Sequence, residues 1–294
     1  MTKTPLKASS GPGKTAAPPG SGKSVRVVAV SSGKGGVGKS NLTLGLAYAL
    51  TSLKRRVLIW DADLGLANTD VLLGIRAERT IHDWLKGERS LKEIVIKAPG
   101  GISILPAASG ILELSDITGD DKSRLLADFE EWKEELDFML VDTAAGIGPN
   151  VVFFNQVAPE RLVVVTGEPT SITDAYALIK ALSARHGLKN FYVLPNMVKD
   201  LRDAKNVFKL LSDVAGNYLP DVSLDYLGFV PRDDCVPESV RRQTPFFTAR
   251  PDSEASRRLL DCARTLAAKE PPPSSGGGLS LFLNRLGESS LTVN

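Results

Sequence analysis

Gly33-Lys34-Gly35-Gly36-Val37-Gly38-Lys39-Ser40 decides the fold. The octapeptide meets the phosphate-binding pattern G-x-x-x-x-G-K-[ST] at every position. Before it, Val25-Arg26-Val27-Val28-Ala29-Val30 reads as a buried strand. After it, Asn41 to Leu53 reads as a helix with Leu42, Leu46, Ala49, Leu50 and Leu53 on one face. A strand, a Gly-rich turn and a helix in that order make a phosphate cradle. The glycines let successive N–H groups turn inward, and the helix N-terminus adds partial positive charge. Lys39 is expected on the β/γ-phosphates and the Ser40 hydroxyl on Mg²⁺, with Gly33 through Asn41 around the nucleotide.

Working outward, carboxylates follow at strand ends. Arg56 to Asp61 reads as a second buried strand, running into Asp61-Ala62-Asp63-Leu64-Gly65-Leu66-Ala67-Asn68. Acids at the C-terminal end of a parallel strand next to a P-loop sit where open α/β sheets bind ligands. Asp63 is placed to orient an attacking water and Asp61 to support Mg²⁺; a helix-cap or turn role is the plainer alternative. Asp137 to Asp142 is an apolar strand ending in an acid, so Asp142 is expected in the Mg²⁺ hydration shell. Thr143-Ala144-Ala145-Gly146 is small enough to approach a γ-phosphate as a switch loop.

The alternation continues. Strands are expected at Arg161 to Thr166, Phe191 to Asn196 and Leu224 to Val230. Helices are expected at Asp121 to Leu136, Ile172 to Arg185, Lys205 to Tyr218 and Ser253 to Lys269. Short helices at Thr80 to Leu85 and Leu91 to Ile96 fill an excursion. Repeated strand–helix units demand a mostly parallel, doubly wound sheet with helices on both faces, an α/β fold of the P-loop NTPase class. Asn196 and Pro231-Arg232-Asp233 fall at strand ends, where a base can be read by hydrogen bonds; a turn role for Asn196 is the alternative.

Composition bounds the partners. The chain has 294 residues, 43% hydrophobic and 24% charged, with net charge +2. No strong pull on nucleic acid is expected from so small a charge. Cys235 and Cys262 have no metal-ligand spacing and read as reduced thiols. No stretch approaches the ~20 apolar residues of a spanning helix, and the N-terminus lacks a secretory apolar core, so the expected place is the cytoplasm.

Four units are expected: a disordered, mildly basic tail over residues 1–24, a P-loop ATPase domain over 25–269, a Pro/Ser/Gly linker over 270–278, and a C-terminal helix and tail over 279–294. In that helix Leu279, Phe282, Leu283 and Leu286 follow i, i+3, i+4, i+7. Such a face, tethered outside the folded domain, docks on a protein groove or lies in a membrane interface; this reading favours the membrane. Full burial of the four is worth roughly 6–10 kcal/mol, less the ordering of a short helix.

Lys34, the second lysine of the turn, resembles the signature lysine of the deviant Walker A ATPases of the MinD/ParA group. Asp61 to Gly74 is similar to switch I of the MinD branch and Asp142 to Gly148 to its switch II. Pro106 to Gly110, Glu168 to Lys180 and the Leu/Phe helix resemble the flagellar-number regulators FlhG and FleN. The resemblance implies a slow, Mg²⁺-dependent ATP hydrolase that cycles between an ADP-bound or free monomer and an ATP-bound homodimer. It implies Lys34 on phosphate in trans, Lys39 in cis, Ser40 with Asp61 and Asp142 around Mg²⁺, and Asp63 on the hydrolytic water. It implies Asn196 on adenine with Pro231 to Asp233 nearby. It places Leu279 to Leu286 on the inner face of the cytoplasmic membrane, and implies as partner either a signal-recognition-type GTPase, FlhF, or a flagellar transcription activator such as FleQ. Some members carry an N-terminal D-Q-A-x-x-L-R motif that stimulates the GTPase. Residues 1–23 lack it, which shifts weight to the activator.

A ParA-like ATPase that positions DNA or cargo is the alternative. It needs a basic stripe that a net charge of +2 and an apolar C-terminal helix do not suggest. A metabolic phosphotransferase or metal-cluster carrier is a third reading, and the carrier form needs paired cysteines.

Overall fold

The computed structural model describes residues 25–63, 69–75, 77–106, 119–132, 135–270 and 278–288. β1 (Arg26–Ser32) leads through the Gly-rich turn into α1 (Lys39–Ser52) and β2 (Val57–Ala62). The excursion holds α2 (Thr69–Leu73), α3 (Ile81–Leu85), α4 (Leu91–Ile94), β3 (Ile96–Lys97) and β4 (Ser103–Leu105). Then come α5 (Gly119–Glu130), β5 (Phe138–Ala145), α6 (Pro149–Val157), β6 (Glu160–Thr166), α7 (Pro169–His186), β7 (Asn190–Val198) and α8 (Leu201–Tyr218). The chain closes with β8 (Ser223–Tyr226), β9 (Val230–Pro231), α9 (Cys235–Arg241), α10 (Phe246–Ala249), α11 (Glu254–Ala268) and α12 (Gly278–Glu288).

The sheet order is β3-β4-β2-β5-β1-β6-β7-β8, with β9 also on β7. Every pairing is parallel except β3 with β4. All seven residues of β1 are buried because both faces of the strand are covered. Val28 and Val30 join the core under α1 and α11, while Val27 and Ala29 join the one under α5, α6 and α12. A third cluster lies under α7 and α8. The expected α/β doubly wound architecture is the observed one.

Boundaries shift for local reasons. α8 begins at Leu201, four residues earlier than expected, because the Asp200 carboxylate accepts from the Asp203 N–H and caps it. α5 runs from Gly119 to Glu130, shorter and earlier than the expected span. The expected strand over Leu224 to Val230 divides into β8 and β9. Gly228, at φ +143, breaks it where a Cβ would sit 2.5 Å from Cys262 Sγ of α11. α6 had no counterpart in the sequence reading.

The largest correction concerns the C-terminal helix. α12 is not tethered outside the domain: it packs on the chain's own core between α5 and α6, over β1. Leu279, Phe282, Leu283 and Leu286 are all buried, Phe282 completely. The groove is aromatic. Trp60 of β2 stacks on Phe129 of α5 and meets Phe154 of α6 and Phe282 edge-on, with ring centroids 5.5–5.9 Å apart. Gly278, expected in the linker, is the first residue of the helix; a Cβ there would collide with the Val25 carbonyl oxygen. The expected tail (1–24) and most of the linker (271–277) lie outside the described residues.

Candidate functional site

β1 delivers the Gly-rich turn to the C-terminal edge of the sheet. Gly38 stands at φ +84 and starts α1, and a Cβ on it would approach the Asn196 Nδ2 to 2.6 Å. No other residue type fits both demands. The first buried helical side chain is Lys39. Its Nζ donates to Asp142 Oδ1 at 2.6 Å, with both groups buried, and lies 3.4 Å from Ser40 Oγ. The lysine expected on phosphate therefore rests on the carboxylate expected on the metal.

Asp142 lies three residues before the end of β5, which runs on past the expected strand, and Asp61 is the penultimate residue of β2; the two stand directly opposite each other on adjacent parallel strands. Thr43 Oγ1 also donates to Asp142 Oδ1, at 3.0 Å, while Oδ2 is buried with no hydrogen-bond partner. Asp61 accepts from the Asp63 N–H at 3.2 Å and the Thr69 N–H at 3.1 Å. Burial, and then the neighbouring Asp142 carboxylate, push the Asp61 carboxyl up to about 6 against those hydrogen bonds. Two buried carboxylates, one with an orphaned oxygen, beside a hydroxyl on a helix N-terminus form an oxygen donor set suited to a hard divalent cation. Asp63 is half-buried on the same rim, and residues 64–68 that follow it lie outside the described residues.

Lys34 goes elsewhere. Its Nζ donates to Glu168 Oε2 at 2.8 Å and to Thr170 Oγ1 at 2.9 Å, at the start of α7 on the open rim of the cleft. The expected switch begins inside β5 rather than after it, and is stitched to its surroundings. Thr143 Oγ1 donates to the Val30 carbonyl at 3.1 Å and lies 3.0 Å from Ser31 Oγ, to which Asn155 Nδ2 of α6 donates at 2.7 Å.

A cavity of about 1260 Å³ runs from the Gly-rich turn past the ends of β6, β7 and β9. Lys34, Gly35, Gly36, Val37, Gly38 and Asn41 line one end, and Asn196, Pro231, Arg232 and Asp233 the other. Asn196 Nδ2 donates to the Val37 carbonyl at 2.8 Å, bracing the turn. Asp233, expected near the base, lines the cavity; its oxygens accept the Cys235 N–H at 3.0 Å and the Ala255 N–H at 3.3 Å, so it also holds the starts of α9 and α11. Arg232 is exposed and Pro231 buried. Three residues were missed as site residues. Thr166 sits in register with Asn196, lines the cavity and carries a buried hydroxyl without a partner. Its signal was its place at the end of a parallel strand. Glu168 and Thr170 had no signal beyond standing at a helix start.

Comparison with known proteins decides the family. Residues 23–267 match the model of the ParA family, described as NUBPL iron-transfer P-loop NTPase. The antiactivator FleN of Pseudomonas aeruginosa is 44% identical over 267 residues, covering 91% of this chain and 95% of that protein. The flagellum site-determining protein YlxH of Helicobacter pylori is 34% identical, covering 89% of each. The chain belongs to the ParA/MinD family of P-loop ATPases. Its place within that family is the branch of flagellar-number regulators. The MinD fold itself superposes: the MinC:MinD cell division complex of Aquifex aeolicus matches with a TM-score of 0.65 at 28% identity, over 85% of this chain and 98% of that one. As a MinD-like ATPase acting in flagellar regulation, the protein hydrolyses ATP. Among the described residues no helix is long and apolar enough to cross a membrane.

Proposed function

We propose that ATP and Mg²⁺ drive this chain into a face-to-face homodimer in the cytoplasm, and that the dimer holds back a flagellar transcription activator from the inner face of the cell membrane. The observation that carries the reading is the position of Lys34. A lysine inside a phosphate cradle is expected to face phosphate, yet this one stands at the rim on Glu168 and Thr170. From there it is available to a triphosphate in an opposing copy, where it offsets charge only when both copies are loaded.

Within one protomer, Lys39 exchanges Asp142 for the β/γ-phosphates, which leaves Asp142 Oδ1 to Thr43 alone and Oδ2 open. Ser40, Asp61 and Asp142 would hold the Mg²⁺ shell, and the cation would spread the phosphate charge. Asp63 orients the water. Asn196 and the Thr166 hydroxyl read the adenine, against Pro231 and Arg232 with Asp233 shaping the wall.

The membrane part rests on α12. Its apolar face, buried in the Trp60 groove, would bury nearly the same area in a bilayer. The vacated groove would expose Trp60, Phe129 and Phe154, so departure also needs switch closure to collapse or cover the α6 side of the groove. The similarity to an antiactivator favours the activator over the FlhF-like GTPase as partner. Sedimentation equilibrium with a non-hydrolysable ATP analogue and Mg²⁺ tests the core. The parent chain is expected as a dimer and Lys34→Ala as a nucleotide-bound monomer. A parent chain that stays single at every concentration overturns the reading.

A further inference from the structure

The end of β7 departs from a regular strand at one residue. Asn196 pairs with Val230 of β9 and Val198 pairs with Pro231, so Met197 between them has no partner in register and forms a bulge. Both neighbours are buried and held. The Asn196 amide donates to the Val37 carbonyl, and the Val198 carbonyl accepts the Arg232 N–H at 2.8 Å. Met197 is left at φ +56, in the left-handed region, with 46% of its surface exposed. Gly or Asn would adopt that backbone at lower cost than Met does. Core packing does not account for a long apolar side chain at this point, because so much of it is open.

The bulge turns Met197 into the nucleotide cleft. It lines the cavity beside Asn196, and its terminal methyl reaches the Gly-rich turn, where a Cβ on Gly38 would meet it at 3.2 Å. Pro231 of β9 and Val240 of α9 line the same cavity. A nucleobase has a polar edge and two flat, largely apolar faces. Asn196 and Thr166 suit the edge, and Pro231 offers rigid cover for a face. A thioether is soft and polarizable and packs well against rings.

We infer that Met197 is a base-binding residue: its thioether covers one face of the adenine, and the strained bulge holds it there. The inference rests on the placement of the base beside Asn196 proposed above. Backbone outliers gather at ligand clamps, where the surrounding structure holds them in place. Met197 also sets a preference. The area it covers grows with the size of the ring, so it favours a purine over a pyrimidine.

The test is calorimetric titration of the full nucleotide-free chain with ADP, CDP and pyrophosphate, each with Mg²⁺. In Met197→Ala, ADP is expected to bind about tenfold more weakly and CDP no more than about threefold, with pyrophosphate as in the parent. Met197→Leu, close in volume, is expected to keep ADP affinity within about threefold. Met197→Gly is expected to weaken ADP as Ala does, yet to melt no lower than the parent without ligand, because it relieves the left-handed backbone. Equal losses for ADP, CDP and pyrophosphate would mean that Met197 shapes the Gly-rich turn, and overturn the inference. Unchanged ADP affinity with a weaker ATP-dependent dimer also overturns it, and moves Met197 to the subunit interface. Photolabelling of the parent with an azido-adenine derivative of ADP separates this inference from the reading beneath it. Label on β7 or on Pro231 to Asp233, with ADP affinity unchanged in Met197→Ala, overturns the inference alone. Label elsewhere removes the proposed base site and the inference together.

Discussion

The nucleotide cleft and the α12 groove are both filled by the chain itself, and they are filled by different forces. In the cleft the occupants are charges: Lys39 on Asp142, buried, and Lys34 on Glu168, exposed. In the groove the occupant is an apolar face against Trp60, Phe129 and Phe154. A buried charge can leave its partner only when another charge of matching geometry arrives, which makes the cleft selective. An apolar face accepts any apolar surface of sufficient area, which makes the groove exchangeable but unselective. The difference teaches that selectivity for a ligand resides at the strand ends, while the groove holds its occupant by area alone.

The sharpest way to break this contrast is Lys39→Ala. It leaves Asp142 buried without its cation and is expected to cost about 3–5 kcal/mol of stability at neutral pH, besides weakening ATP binding by roughly 100-fold. Differential scanning calorimetry and nucleotide titration check both; a variant as stable as the parent would show the pair contributes little.

Phe282→Ala probes the other side. Loss of that ring is worth about 3–5 kcal/mol of packing, comparable to the whole docking energy of a short helix. Hydrogen exchange is therefore expected to show α12 amides losing protection while β1 and the Gly-rich turn keep theirs. Protection lost uniformly would mean that α12 is an inseparable part of the core.

Asp61→Asn sharpens the account of the carboxylate pair. A carboxyl held at about 6 when folded, against 3.8 as the ordinary value, binds more protons in the folded chain. Stability of the ligand-free protein therefore falls as pH rises through that window, and the deficit persists above it. The Asn variant removes the titration at the expense of one hydrogen bond. Its midpoint is expected a few degrees above the parent's at pH 7.5, equal or lower at pH 4, and its Mg²⁺-dependent hydrolysis is expected to be lost. A parent whose stability is flat between pH 4 and 6.5 would contradict the shift.

Glu168→Gln carries the smallest effect. The ion pair it breaks is largely solvent-exposed and worth at most about 1 kcal/mol, so freeing Lys34 is expected to tighten the ATP-dependent dimer no more than roughly fivefold. A weaker dimer would instead place Glu168 in the interface.

Much of this was legible in the residues. The Gly-rich turn prescribes its own backbone, so its position, the carboxylates one strand over and the parallel sheet could all be read locally. The strands read well because burial on both faces leaves continuous apolar runs. α6 escaped because Pro149–Val157 is apolar nearly all round and has no helical stripe, although Pro at its first position was a usable signal. The α12 face was legible but its partner was not. Trp60, Phe129 and Phe154 come from three distant segments, and an amphipathic pattern encodes a need for cover without saying what provides it. Lys34 lines the cavity and Lys39 rests on Asp142, but motifs describe the loaded state and say nothing of which carboxylates those lysines use before a ligand arrives.

Trp60 stands one residue before Asp61, with its indole against the Phe282 ring. A single side chain thus adjoins both the acid proposed for the cation and the helix proposed to depart. Its ultraviolet emission would gauge that proposed cycle: red-shifted and open to acrylamide when the helix lifts away, blue-shifted and shielded when it returns, with no dye attached.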